Sequence, residues 1–335
     1  MARRRLSDQQ KARIAKIQEK RRQRAGRQAE KNLAAAGAEQ QRAGRVVVRH
    51  GRSLLIRSDD GRLIWGMFRA NLGEVVCGDN VIWQPTANGE GVVVAVEPRS
   101  TALSRPAFNG QEKAIAANIT QLVVVLATYP EPAGYLLDQY LVAAERVGVN
   151  GLICLNKIDL LDAEARIAFA GQYALYRDIG YPVVQISAKT EHGLDPLLER
   201  LRGETSILVG QSGVGKSSLI NALIPDEDVL EGRLSDATGL GKHTTSAATL
   251  YQLESGGELI DSPGVRSFRL GSLSRQELER GFREFVPYLG QCRFHNCTHL
   301  NEPGCAIQAA VEQGEIAPDR LASYQHMMQA SAAGG

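Results

Sequence analysis

The chain has 335 residues, 43% of them apolar, and a net charge of +2, which suits two or three globular domains. No apolar run approaches the eighteen residues a membrane helix needs, and the basic N-terminus lacks the apolar segment of a secretory signal. Five cysteines, three of them close together, argue against a disulfide framework. A cytoplasmic protein with no membrane partner is expected.

The near-balanced charge hides an asymmetry. Residues 1–45 hold fourteen Lys/Arg against four Asp/Glu, so the rest of the chain is mildly acidic. Residues 1–44, with Arg3-Arg4-Arg5 and Lys20-Arg21-Arg22, have too few apolar residues for a buried stripe. They read as a basic disordered arm suited to RNA, where neutralising phosphates releases counterions. A solvated solubility tail is the other reading.

Residues 45–100 change to short β-rich runs: Val46–Val48, Leu54–Ile56, Leu63–Trp65, Val75-Val76, Val81–Trp83 and Val92–Val94, with Asp59-Asp60-Gly61 as a hairpin turn. Such a series of strands suggests a small closed barrel of the OB type. Trp65, Phe68 and Trp83 are candidates for stacking on bases, although core packing is favoured for each. Cys77 reads as a buried small side chain.

Residues 101–118 read as a connector. From Gln121 onward, strands and helices alternate. Strands are expected at 122–127, 152–155, 183–186 and 206–209, and helices at 135–147, 163–178 and 194–202. This is a doubly wound α/β sheet. Cys154, inside one strand, reads as structural.

Three motifs lie at strand ends. Asn156-Lys157-Ile158-Asp159 reads N-K-x-D. A carboxylate offers two acceptors to the N1–H and N2 amino donors of guanine, a pairing adenine cannot make. Ser187-Ala188-Lys189 resembles the S-A-K backing loop of GTP-binding proteins. Gly210-Gln211-Ser212-Gly213-Val214-Gly215-Lys216-Ser217 is a phosphate-binding loop, G-x-x-x-x-G-K-S, and Ser218 continues it into a helix. Its backbone N–H groups would cradle phosphates, Lys216 would reach the β- and γ-phosphates, and the Ser217 hydroxyl would ligate Mg²⁺. Downstream, either Thr244 or Thr245 could contact Mg²⁺ and sense the γ-phosphate. Asp261-Ser262-Pro263-Gly264 is a D-x-x-G in which Asp261 would hold Mg²⁺ through water and the Gly264 N–H would sense the γ-phosphate.

Cys292, Cys297, His299 and Cys305 form C-x₄-C-x-H-x₅-C, a closed set of three thiolates and an imidazole suited to one structural zinc. Helical patterns at 274–289, 303–313 and 318–330 surround it. That small core would draw folding energy from the metal.

The order N-K-x-D, S-A-K, phosphate loop, switch Thr, D-x-x-G is a circular permutation of the usual G domain. With the barrel before it and the cysteine cluster after it, the chain resembles the RsgA (YjeQ) family of small-ribosomal-subunit biogenesis GTPases over about residues 45–320. The resemblance implies GTP hydrolysis stimulated by the 30S subunit, binding to 16S rRNA, and a role in late 30S maturation. It also selects His299 over His295 as the fourth zinc ligand. The expected organisation is an arm (1–44), an OB-fold barrel (45–100), a permuted GTPase domain (101–270) and a helical zinc-binding domain (271–335), acting as a monomer that alternates between GTP and GDP.

Val265 follows the D-x-x-G where many G domains place a water-orienting Gln, so hydrolysis by the isolated protein should be slow. His243, beside the Thr pair, is a candidate water-positioning group; an exposed loop residue is the alternative. The chain after Gly264 passes directly into the zinc domain, so movement of 264–270 could reposition that domain. Two rival functions share these motifs: an RNA-binding scaffold with GTP as a structural ligand, and a translation-factor-like GTPase on mature ribosomes.

Overall fold

The computed structural model describes residues 41–106, 112–132, 135–224, 247–262 and 273–333. Most of the basic arm, His243, Thr244, Thr245, Pro263, Gly264 and Val265 lie outside the described residues, as does Asn109-Gly110. The chain divides into two units between Pro98 and Arg99.

The first unit is a five-stranded barrel. Its strands are β1 (Arg42–His50), β2 (Ser53–Ser58), β3 (Leu63–Phe68), β4 (Asn80–Pro85) and β5 (Gly91–Val96). They pair as β1-β2-β3-β5-β4, and β4 returns to β1, which closes the ring. Only β3 and β5 run parallel. This is the OB arrangement expected from the strand series. Val46, Leu54, Ile56, Val75, Val81 and Val93 fill the interior with Phe68 and Trp83. Trp83 is 2% exposed and donates its indole N–H to the Ala43 carbonyl at 3.1 Å. Trp83 and Phe68 therefore pack the core, and neither offers a face for stacking. Trp65 is half-buried and Cys77 is buried.

Val75-Val76, expected as a strand, is a buried loop segment instead. Gly73 and Gly78, both at positive φ, bracket it, and the Asp79 carboxylate takes the Val76 N–H at 2.7 Å. A side-chain acceptor replaces a ladder partner there.

The second unit opens with a hairpin, β6 (Ala102–Pro106) against β7 (Glu112–Ala117). The connector expected over 101–118 is thus an antiparallel pair. A six-stranded sheet follows, ordered β10-β9-β8-β11-β13-β12. It comprises β8 (Gln121–Ala127), β9 (Asn150–Asn156), β10 (Val183–Gln185), β11 (Thr205–Val209), β12 (Thr249–Gln252) and β13 (Glu258–Asp261). Every pairing is parallel except β12 with β13. The chain enters at β8, builds outward to β10, returns to the centre at β11, and then builds the other way. Every residue of β8 is buried, as an unbroken apolar run covered on both faces should be. The point of reversal, between β8 and β11, is where open α/β sheets bind ligands at their carboxyl edge.

Helices cover this sheet: α1 (Leu136–Val147), α2 (Ala163–Gly171), α3 (Ala174–Asp178), α4 (Leu194–Leu201) and α5 (Lys216–Leu223). The single helix expected over 163–178 is broken after Gly171, and Tyr173 turns inward to meet Phe169 edge-on at 5.5 Å. The C-terminal part contains α6 (Arg275–Arg280), a 3-10 segment (Arg283–Tyr288), α7 (Ala306–Glu312) and α8 (Pro318–Ala333). Ser274 and Glu277 form a capping box that starts α6. The helix expected to continue to 289 ends at Gly281, and a 3-10 segment follows it. A Cβ on Gly281 would lie 2.6 Å from Val142 Cγ1, so the backbone itself seats against α1. No helix among the described residues is long and apolar enough to cross a membrane.

Candidate nucleotide site and metal centre

The carboxyl ends of β9, β11 and β13 lie on one edge of the parallel sheet, and each carries a predicted motif. Asn156 ends β9, Gly210 follows β11, and Asp261 ends β13. The phosphate loop turns through positive φ at Gly210, Gly213 and Gly215. Two of these glycines are also required by space. A Cβ on Gly210 would stand 2.3 Å from the Val125 carbonyl, and one on Gly215 would stand 2.4 Å from Asn156 Nδ2. Gly215 thus leaves room for a side chain of the N-K-x-D motif.

That side chain is a staple between three loops. Asn156 is 2% exposed, donates Nδ2–H to the Val214 carbonyl at 2.9 Å, and accepts the Ala188 N–H on Oδ1 at 3.0 Å. Lys157, in the left-handed region at φ 64°, donates its ammonium to the Tyr129 carbonyl at 2.9 Å and the Gly213 carbonyl at 2.5 Å. Its alkyl stem spans from the N-K-x-D loop to the phosphate loop. The Ser187 hydroxyl donates to Asp159 Oδ1 at 2.7 Å, fixing the carboxylate's rotation. Asn156, Lys157, Asp159, Ser187, Ala188 and the loop 210–217 are therefore brought together, while Lys189 is exposed. Ile158 is buried and anchors the turn, its N–H donating to the Ile186 carbonyl at 3.2 Å.

Lys216 donates its ammonium to the carbonyls of Gly210 (2.7 Å) and Gln211 (2.5 Å), keeping the charge at the loop's mouth. Ser217 and Ser218 are exposed in the first turn of α5. The hydroxyl of Ser217 and the carboxylate of Asp261 are hard oxygen donors, the kind Mg²⁺ prefers. Two neighbours were not legible beforehand. The Tyr129 carbonyl anchors Lys157, and the buried Tyr140 hydroxyl is hydrogen-bonded to the Gly210 backbone. Both come from the stretch between β8 and the middle of α1, at least 70 residues before the phosphate loop, so no local pattern marks them.

Asn156→Ala would strand the Val214 carbonyl and the Ala188 N–H without partners. Each such loss costs about 1–3 kcal/mol. We expect GDP affinity to fall on the order of 10- to 100-fold, read by titrating a fluorescent GDP analogue.

The candidate metal centre lies in the C-terminal part. The ligand atoms of Cys292, Cys297, His299 and Cys305 all fall within 4.8 Å of one another. His299 Nδ1 is 3.6, 3.5 and 3.3 Å from the three sulfurs, and the Cys292 and Cys305 sulfurs are 4.0 Å apart. Tetrahedral zinc with its usual bond lengths requires about 3.5 Å between N and S and about 3.8 Å between sulfurs. The donor set fits a closed four-coordinate ion, and the group holds no fifth ligand among the described residues. Burial pushes the Cys297 thiol up to about 12, so a cation must displace its proton to bind.

Glu302 shapes the turn between His299 and Cys305. It accepts the Thr298 hydroxyl together with the N–H groups of Thr298, Leu300 and Asn301. The Thr298 hydrogen bond, followed by those backbone donors, holds its carboxyl down at about 2. His299 itself sits in the left-handed region at φ 62°. No sequence pattern singled out Glu302, because its partners are mostly backbone.

This part docks on the nucleotide-binding sheet through α1. Arg320 of α8 is fully buried. It donates to Asp138 of α1 and, in a fork, to Glu284 at 2.5 and 3.2 Å. Arg283 donates to Glu145 of α1 at 2.6 Å and lies 4.1 Å over the Tyr181 ring. The C-terminal part is therefore fastened along α1, in addition to being tethered through the segment that follows Asp261.

The family model described as RsgA GTPase matches residues 96–271. A protein of Ectopseudomonas mendocina named small ribosomal subunit biogenesis GTPase RsgA is 46% identical over 337 residues, spanning 98% of both chains. One of the same name from Hahella chejuensis is 47% identical, spanning 97% of this chain and 95% of its own. Among solved structures, YjeQ from Thermotoga maritima superposes with a TM-score of 0.72 at 32% identity, covering 87% of this chain and 99% of its own. YloQ, titled a circularly permuted GTPase, gives 0.70 at 26% identity, covering 88% and 96%.

Proposed function

The chain belongs to the RsgA GTPase family and is a GTP hydrolase, and from that premise we propose that it binds the small ribosomal subunit and assists its late maturation, hydrolysis governing its release. The observation that carries the nucleotide part is the Asn156 staple: one buried amide joins the base-reading loop, the S-A-K loop and the phosphate loop. Asp159, oriented by Ser187, reads the guanine N1–H and N2 amino group. Lys157 braces the phosphate loop. Backbone N–H groups of 210–217 and the Lys216 ammonium bind the phosphates. Ser217, with Asp261 through water, holds Mg²⁺, which neutralises charge on the transferring phosphoryl group. Thr244 or Thr245, together with Gly264, senses the γ-phosphate, and His243 is the candidate for placing the attacking water.

Val265 cannot orient water, so the isolated protein turns over slowly and the 30S subunit supplies the acceleration. The protein works as a monomer in the cytoplasm, its basic arm (1–44) and barrel (45–100) contacting 16S rRNA. The GTPase domain (101–270) carries a zinc-binding domain (271–335) in which Cys292, Cys297, His299 and Cys305 hold one structural Zn²⁺.

Phosphate release measured with and without purified 30S subunits tests this. Acceleration of at least about 10-fold is expected, in keeping with partner-assisted GTPases. Equal rates would favour a scaffold that holds GTP as a structural ligand. Cys297→Ala is expected to lose most of its zinc and to unfold 273–333 at lower denaturant while still binding GTP. Normal zinc content by elemental analysis would contradict the ligand assignment.

A further inference from the structure

We propose that Glu279 is the positioning residue of the metal centre, holding the His299 imidazole through its Nε2–H so that Nδ1 faces the three thiolates. The inference rests on the zinc reading above and extends it to a residue outside the cysteine-histidine pattern.

Both ring nitrogens of His299 are accounted for. Nδ1 lies 3.3–3.6 Å from the three sulfurs, while Nε2 lies 3.3 Å from Glu279 Oε1. With a metal on Nδ1, the ring proton must sit on Nε2, where the carboxylate accepts it. Such a partner fixes the tautomer and ring rotation, and makes the imidazole a stronger donor. The Tyr324 ring, 5.9 Å from the imidazole centroid, packs alongside it.

Glu279 is itself held in place. It is buried, and a buried carboxylate is costly unless paired. Arg275, one turn earlier on α6, approaches it at 3.1 Å and donates to the Asn296 and Cys297 carbonyls beside the ligands. The capping box at Ser274 sets where α6 begins, and so where Glu279 points. Helix α6 is thereby part of the metal site. Through Gly281, its C-cap, on Val142 it also helps to seat this part against α1.

The test separates action through His299 from simple support of α6. Zinc affinity of the full chain is measured by competition with a chromophoric chelator for the unaltered protein, Glu279→Gln and Glu279→Leu. Each is measured again with His299→Cys, which supplies a four-thiolate site with no imidazole to orient. Glu279→Leu is expected to weaken zinc binding about 10- to 100-fold, and Glu279→Gln less, since its amide oxygen still accepts. With His299→Cys the same changes should cost no more than about 2-fold, because the ligand they act on is gone. The visible spectrum of the cobalt-loaded protein should shift in Glu279→Leu and not in the His299→Cys pair. Equal losses in both backgrounds, or no loss in either, would overturn the proposal. If Glu279→Leu does not fold, the Glu279→Gln comparison across backgrounds decides it. Failure of the unaltered chain to bind zinc would instead remove the zinc reading, and this proposal with it.

Discussion

Asp159→Asn is expected to lower GTP affinity about 10³-fold and to raise affinity for xanthosine triphosphate. Guanine presents two donors, N1–H and the N2 amino group, to a carboxylate with two acceptors. Asparagine keeps one acceptor and opposes the amino group with a second donor, so one hydrogen bond is lost and two N–H groups collide. Hydrogen bonds to charged groups are worth about 1.5–3 kcal/mol each, and a stranded donor adds its desolvation cost. Xanthine carries a carbonyl at C2, which the new amide can donate to. The Ser187 hydroxyl, 2.7 Å from Asp159 Oδ1, can still donate to the amide oxygen and so keep the side chain's rotation. Competition of guanosine and xanthosine triphosphates against a labelled nucleotide reads the change. An unaltered preference would mean that Asp159 does not face the base.

Arg320→Met should destabilise the protein by about 3–5 kcal/mol, the cost of removing one partner from a buried ion network. Arg320 is fully buried, and Asp138 and Glu284 would both lose the guanidinium that pairs them. Burial alone would push the arginine's pKa down, but hydrogen bonding to Glu284 and the Asp138 charge hold it above its usual value, so it remains charged. The guanidinium also lies 4.5 Å over the Phe282 ring and 5.4 Å over the Tyr176 ring, and Tyr176 donates to Asp138 at 2.6 Å. Replacing Asp138 and Glu284 by leucine alongside Arg320→Met should recover much of the loss, because a buried ion network is seldom more stable than an apolar one. Urea denaturation followed by tryptophan fluorescence would miss this region, since both tryptophans lie in the barrel (Trp65 and Trp83). Tyrosine fluorescence or limited proteolysis reports it. A loss under about 1 kcal/mol would mean that water reaches the network and screens it.

The same network bears on how a signal could leave the nucleotide site. The sequence suggested one connection to an expected zinc-binding domain, through the residues after Gly264. The structure adds a second. Helix α1 carries Tyr140, hydrogen-bonded to the Gly210 backbone, and also Asp138 and Glu145, which hold Arg320 and Arg283. A rearrangement of the C-terminal part would have to break these ion pairs or carry α1 with it.

Local chemistry made much of this protein legible. Strand-end motifs declare themselves because a phosphate-binding loop would need glycines beside Lys216, and a base reader would need a carboxylate such as Asp159 just past a strand. Their order along the chain revealed the permutation, since a motif keeps its identity wherever the chain is opened. The spacing of Cys292, Cys297, His299 and Cys305 marked a set that could hold a metal ion because these residues are near neighbours in sequence, and the fold does bring their ligand atoms together. What was missed follows from the same physics. The β6–β7 hairpin joins strands whose residues have no long apolar alternation, and the close seating of Gly281 depends on Val142 occupying the space a side chain would need. Only the fold could bring Asn156 to Val214, Glu279 to His299, or Asp138 to Arg320, which is 182 residues away. Each is a polar contact between distant segments, made stable by burial, and burial is a property of the packed chain that composition and spacing do not carry.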